Sequence, residues 1–220
     1  MGTIVDFKRP DGKACSGYYA EPEKGGKSPG IVVIQEWWGL NDQIKGVADR
    51  MAQAGYRVLV PDLYRGKVAL EAKEAEHLMK GLNFGDAAGQ DIRGAVQYLK
   101  QSGPKVAVMG FCMGGTIAFL AACKLNGLSA AVCYYGGQIA KNADEKPKVP
   151  TQMHFGDQDA SIPMTDVETI KKKRGGDSEI YVYAGAGHGF HCDERGSFHE
   201  ASAKTAWQRA MDFLNKHVKK

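Results

Sequence analysis

Six short apolar runs, Ile31–Gln35, Arg57–Pro61, Val106–Gly110, Ala130–Tyr135, Gln152–Phe155 and Ile180–Tyr183, recur along the chain with helical patterns between them. No other feature constrains the fold as strongly. Runs of this kind suit strands covered on both faces, as in a parallel sheet. Between them Ile44, Val47, Ala48 and Met51 follow a candidate cap at Asp42, and Ile92, Ala95, Val96 and Leu99 repeat the i, i+3, i+4, i+7 spacing of a helix with one buried stripe. Further helices are expected over Ala69–Leu82, Thr116–Ala122 and Ser202–Val218. At the amino end Thr3–Lys8 and Ala14–Ala20 flank Pro10-Asp11-Gly12, turn chemistry that predicts an antiparallel hairpin. The expected architecture is a three-layer α/β fold with a mostly parallel sheet between helices, which binds ligands at the carboxyl ends of its strands.

Composition narrows the function classes. With 220 residues, 43% apolar and 25% charged, the chain reads as one packed α/β domain over residues 1–220. No apolar run approaches the ~20 residues of a membrane span, and the start MGTIVDFKRP lacks the apolar core of a signal peptide. The net charge of +4 is small, and the one basic run, Lys171 to Arg174, suits the carboxyl end of a helix. Neither nucleic-acid nor membrane binding is expected. The five cysteines, Cys15, Cys112, Cys123, Cys133 and Cys192, lack paired spacing, which fits free thiols in a cytoplasmic protein. A monomer or weak homodimer is the expected assembly.

The chemistry begins at Gly110-Phe111-Cys112-Met113-Gly114-Gly115, where an apolar strand runs directly into a helical segment. Gly-x-Cys-x-Gly in that context is a nucleophile elbow with Cys in the Ser position. A tight strand-to-helix turn strains its central residue and demands small neighbours, and it exposes the thiol at the amino end of the following helix. The backbone N–H of Met113 would then help to hold an oxyanion. Such an elbow calls for an acid and then a His after later strands. Asp159 follows the strand Gln152–Phe155, and His188 follows Ile180–Tyr183, each in a Gly-containing loop. Asp157, two residues earlier, reads as a turn or cap residue.

These residues, together with Val33-Ile34-Gln35-Glu36-Trp37-Trp38-Gly39-Leu40-Asn41, Val60-Pro61-Asp62-Leu63-Tyr64, Gly156 to Pro163 and Gly187-His188-Gly189-Phe190, resemble the dienelactone hydrolase family, the cysteine branch of the α/β-hydrolase fold. The resemblance covers nearly the whole chain. It implies Cys112 as nucleophile, His188 as its base, Asp159 as the residue that orients the base, and the N–H groups of Trp37 and Met113 as an oxyanion hole. It also implies that Glu36 contacts the thiol in the resting enzyme. Independently, a carboxylate beside two large rings is desolvated and holds protons more tightly than in water. Trp38, Tyr64, Lys73 and Arg195 are candidate substrate contacts.

The chain departs from the family where members that act on dienelactone hold its carboxylate with an Arg shortly after the catalytic His. Cys192 stands there, leaving Arg195, Lys73 and Arg65 as candidate cations. The expected reaction is hydrolysis of a small lactone or ester through an acyl-thioester, with no cofactor. Alternatives from other classes are a metal site drawn from His188, His191, Cys192, His199 and His154, a non-catalytic binding protein, and a thiol-redox role for Cys112.

Overall fold

The computed structural model describes residues 2–23, 25–103 and 105–219. Strands β1 (Thr3–Lys8) and β2 (Ala14–Ala20) form the expected hairpin, with Thr3 opposite Tyr19 and Lys8 opposite Ala14. They join β3 (Gly30–Ile34), β4 (Arg57–Pro61), β5 (Val106–Phe111), β6 (Ala130–Tyr134), β7 (Thr151–Gly156) and β8 (Ser178–Tyr183) in one sheet ordered β1-β2-β4-β3-β5-β6-β7-β8. β2 meets β4 antiparallel, and every pair from β4 to β8 is parallel. β3 to β7 are buried at every position, which is why their sequences carry no alternation.

Helices α1 (Asp42–Gln53), α2 (Ala72–Gly81), α3 (Phe84–Asp86), α4 (Arg93–Lys100), α5 (Met113–Lys124), α6 (Ile139–Asn142), α7 (Met164–Arg174) and α8 (Glu200–Leu214) connect or follow the strands. α1 packs on β2 and β4, α4 on β1, β3 and β4, α5 on β5 and β6, and α8 on β7. This is the α/β-hydrolase arrangement expected from the strand–helix alternation. α1 buries the predicted Ile44, Val47, Ala48 and Met51. Its cap is Asn41 rather than Asp42: Asn41 has extended backbone and its side-chain oxygen accepts from Ile44 N–H at 3.1 Å, while Asp42 already lies in the first turn. α2 is shorter than its apolar pattern, because residue 69 is drawn into an extended segment by Ala69 N–H donating to Trp38 O. None of the described helices is long and apolar enough to cross a membrane.

Between α3 and α4 a π-helical stretch, Ala87–Ile92, buries Asp91. Its carboxylate lies 2.6 Å from Arg65 and 3.3 Å from Arg9, and Arg9 also pairs with Asp11 and Asp86. This cluster ties the amino-terminal hairpin to the helical layer and to the loop after β4. It also removes Arg65 from the candidate substrate cations.

Candidate active site

β5 passes into α5 through Cys112, whose φ of +56° and ψ of −119° are unusual for a residue with a side chain. Such a conformation costs on the order of 1–3 kcal/mol and persists only where packing enforces it. Here the enforcement comes from neighbouring backbone. A Cβ on Gly110 would collide with the Gly114 carbonyl, and one on Gly114 with the carbonyls of Ile34 and Gln35. The Cys112 N–H donates to Tyr134 O at 3.0 Å, and the Cys112 carbonyl accepts from Gly115 and Thr116 to start the helix.

The thiol is held beside an imidazole. Cys112 Sγ lies 3.1 Å from His188 Nε2, and His188 Nδ1 lies 2.8 Å from Asp159 Oδ2. The loop after β7 presents Asp159 with its carboxylate fully buried, and Asp159 Oδ1 accepts from Ser161 N–H at 2.8 Å and Ile162 N–H at 3.0 Å. Asp157 turns elsewhere and accepts from Gly185 N–H at 2.7 Å. Burial disfavours charge on His188, but its bonds to Asp159 and Cys112 outweigh that and raise its pKa to about 10. The imidazole therefore keeps a second proton readily, a state that supports an adjacent thiolate.

Glu36 is buried immediately beyond the end of β3, and its desolvated carboxyl holds protons more tightly than usual, against the opposing pull of Tyr135, Arg195 and His188. Its Oε1 accepts from Tyr135 Oη at 2.9 Å, and its Oε2 lies 3.8 Å from Arg195 Nε. The expected resting contact between Glu36 and the thiol is therefore not the one formed: Glu36 faces Tyr135 and Arg195, and Cys112 faces His188. Trp37 lies in the turn after β3, and Met113 opens α5. Among the described residues neither backbone N–H donates to a protein acceptor, as expected of an unpaired helix start and of a turn left open to a ligand.

Cys112, His188, Glu36, Trp37 and Met113 line a cavity of about 420 Å³ whose surface is largely apolar and to which Met79 of α2 and Phe84 of α3 also contribute. Of the four candidate substrate contacts, Arg195 lines this cavity and the others do not. Trp38 stands behind it, under the Arg195 guanidinium at 3.6 Å, and lines a separate cavity of about 310 Å³ together with Cys192. Tyr64 is buried with its hydroxyl 3.3 Å from Met113 Sδ, and Lys73 is exposed on α2. Of α2 the cavity is lined by Met79, while Lys73 stays exposed. Tyr135, Met79 and Phe84 escaped the sequence reading. The stripe Ala75-Leu78-Met79-Leu82 was a usable signal for Met79, whereas nothing local marked Tyr135.

The histidines proposed for a metal are otherwise engaged. His154 bonds Tyr183 Oη at 2.8 Å and Gln152 Oε1 at 2.9 Å, while His191 stacks on Trp207 and burial lowers its pKa to about 4. His199 pairs with Ser202 at 2.7 Å. Among the described residues no three His, Cys, Asp or Glu side chains are grouped to hold a metal ion.

Comparison with known proteins agrees with this arrangement of elements. The model of the dienelactone hydrolase family matches residues 15–218. Protein usf of Aquifex pyrophilus is 35% identical over 99% of this chain and 100% of its own length. A protein of Yersinia pestis provisionally named carboxymethylenebutenolidase is 32% identical over 94% of this chain and 85% of its own. The crystal structure of a provisionally named dienelactone hydrolase from Klebsiella pneumoniae superposes with a TM-score of 0.88 at 28% identity, covering 98% of this chain and 99% of that one.

Proposed function

The chain belongs to the dienelactone hydrolase family, and from that premise we propose that it hydrolyses a small ester or lactone through Cys112, His188 and Asp159. One observation carries the reading: the unbroken relay of 3.1 Å and 2.8 Å from Cys112 Sγ through His188 to Asp159, at the wall of a cavity also lined by Trp37 and Met113.

In this mechanism the Cys112 thiolate attacks the carbonyl carbon, forming a C–S bond while the carbonyl π pair moves to oxygen. The oxyanion is held by the N–H groups of Trp37 and Met113, in place before charge develops. Collapse of the tetrahedral adduct breaks the C–O bond, and the proton on His188 Nε2 passes to the departing alkoxide or enolate. Neutral His188 then takes a proton from water, whose oxygen attacks the thioester carbon. Thiolate leaves, the imidazole keeps the proton, and the balance is ester plus water giving acid plus alcohol. Asp159 keeps Nδ1 protonated throughout, so that Nε2 does the proton work.

The apolar wall of Trp37, Met79, Phe84 and Met113 suits an alkyl, aryl or enol group, and Arg195 is the candidate contact for a polar substituent. Purified protein is expected to cleave aryl acetates and enol lactones, and Cys112→Ala, which keeps the fold, is expected to lose at least ~10³-fold in kcat/KM on each. Retention of activity by Cys112→Ala would overturn the assignment.

A further inference from the structure

Cys112 leaves the carboxyl end of β5, and in the sheet β6, β7 and β8 lie to one side of that strand and β3 and β4 to the other. The cavity is divided accordingly. The loops after β7 and β8 supply Ser161, His188 and Ser197, whereas the turn after β3 supplies Trp37 and the connection after β4 supplies Met79 and Phe84. Phe84 is held on that second side because α3 packs on α5 and on the π-helical stretch leading into α4, which covers β3 and β4. The two sides differ in chemistry. Ser197 Oγ lies 3.3 Å from the position a side chain on Gly189 would take, and the Ser161 N–H donates to Asp159 Oδ1, so both serines border the catalytic His and Asp. Both are exposed, and among the described residues neither hydroxyl is bonded to protein. The other side offers the half-buried apolar groups of Trp37, Met79 and Phe84.

We propose that the acyl group of the substrate lies on the Phe84 side and its alcohol on the Ser197 side, so that the protein selects esters joining a compact apolar acid to a polar, hydroxyl-bearing alcohol. The inference rests on the reaction proposed above and adds which half of the ester each wall receives. In the tetrahedral adduct the former carbonyl carbon carries sulfur, the oxyanion, the leaving oxygen and the acyl chain. The sulfur belongs to Cys112, and the oxyanion takes the Trp37 and Met113 N–H groups. The leaving oxygen must come within hydrogen-bond reach of His188 Nε2 to receive its proton. Its alcohol therefore starts on the side of β7 and β8, and the direction left for the acyl chain points away from His188, toward the connection after β4. An apolar chain gains there by leaving water, with Met79 and Phe84 limiting its size. A hydroxylated alcohol can instead trade its hydrogen bonds to water for bonds to Ser161 and Ser197.

Two substrate pairs test the orientation. The 4-nitrophenyl esters of hexanoic and acetic acid differ only in the acyl group, and glycerol monoacetate and propyl acetate differ only in the alcohol. Each pair is read as a ratio of kcat/KM within one protein, which does not depend on how much of a variant is folded. Phe84→Trp, and independently Met79→Trp, should lower the hexanoate to acetate ratio by about tenfold and leave the glycerol to propyl ratio within about twofold of wild type. Ser161→Ala combined with Ser197→Ala should do the reverse, lowering the glycerol to propyl ratio by about fivefold, as expected of lost neutral hydrogen bonds, with the acyl ratio unmoved. Tryptophan at 84 or 79 shifting the alcohol ratio instead, the serine changes shifting the acyl ratio, or either ratio staying at its wild-type value in its own variants would overturn the proposal. Cys112→Ala is measured on the same four esters. If it retains turnover, the reading of Cys112 fails, whereas crossed ratios with turnover still dependent on Cys112 sink the orientation alone.

Discussion

Asp159→Asn is expected to lower kcat by roughly 10²- to 10⁴-fold, the upper end being the serine-protease precedent and the lower reflecting a thiol that ionises more readily than a hydroxyl. The geometry explains why a near-isosteric change is so damaging. Asp159 Oδ1 accepts from the N–H groups of Ser161 and Ile162, whereas Oδ2 faces His188 Nδ1 at 2.8 Å. An asparagine keeps its carbonyl oxygen under the two backbone donors, which places its amide N–H₂ against Nδ1. Nδ1 must then accept, the imidazole proton moves to Nε2, and the neutral ring can no longer take a proton from the thiol or from water.

The same variant has a pH signature. In the wild type the bonds to Asp159 and Cys112 hold His188 at about 10, so an imidazolium able to protonate a leaving group would persist well above neutrality. Removing the Asp159 charge lowers the His188 pKa, and the alkaline limb of kcat/KM should move toward neutral pH. Asp157→Asn, altering a bond to Gly185 N–H, should leave kcat within a few-fold of wild type. A greater catalytic loss at Asp157 than at Asp159 would show that the orienting carboxylate is misassigned.

Asp91→Leu is expected to destabilise the fold by about 2–4 kcal/mol without touching the catalytic cavity. Asp91 is 1% exposed and faces Arg9 and Arg65 together. Breaking a fully dry pair by removing one partner costs roughly 3–5 kcal/mol, because the surviving charge stays buried and uncompensated. Two features reduce that figure here: Arg9 keeps Asp11 and Asp86, and the Arg65 side chain is 44% exposed and regains water. For a chain of this length the loss corresponds to a Tm lower by roughly 5–15 °C. Thermal melts check it, and an unchanged Tm would show that the cluster contributes nothing net.

The layers of this fold were legible because buried parallel strands need uninterrupted apolar runs and covering helices need one apolar stripe. Both patterns are local and survive in β3 to β7 and in α1 and α4. The elbow was legible for a sharper reason: Gly110 and Gly114 are required by backbone carbonyls that pass within contact of their Cα atoms, so the spacing encodes the geometry. What escaped depends on direction rather than identity. Trp37 and Trp38 are adjacent and alike in the sequence, yet one lines the cavity and the other supports Arg195 from behind. Lys73 was a plausible cation, but on α2 it faces solvent and does not line the cavity. Tyr135 acquires its place from a bend at the end of β6 that is anchored by β7, a contact between distant parts of the chain that no short motif announces. The cap at Asn41 rather than Asp42 is a smaller instance, decided by which residue leaves the helical region first.

A covalent acyl group on Cys112 is the intermediate on which the proposed reaction turns, and rapid acid quenching during turnover of an aryl ester, followed by peptide mass spectrometry, detects it. One acyl group per chain is expected on the peptide containing Cys112, lost on treatment with hydroxylamine and absent from Cys112→Ala, which no longer turns over. An acyl group on Ser161 or Ser197, or continued turnover by Cys112→Ala, would contradict it.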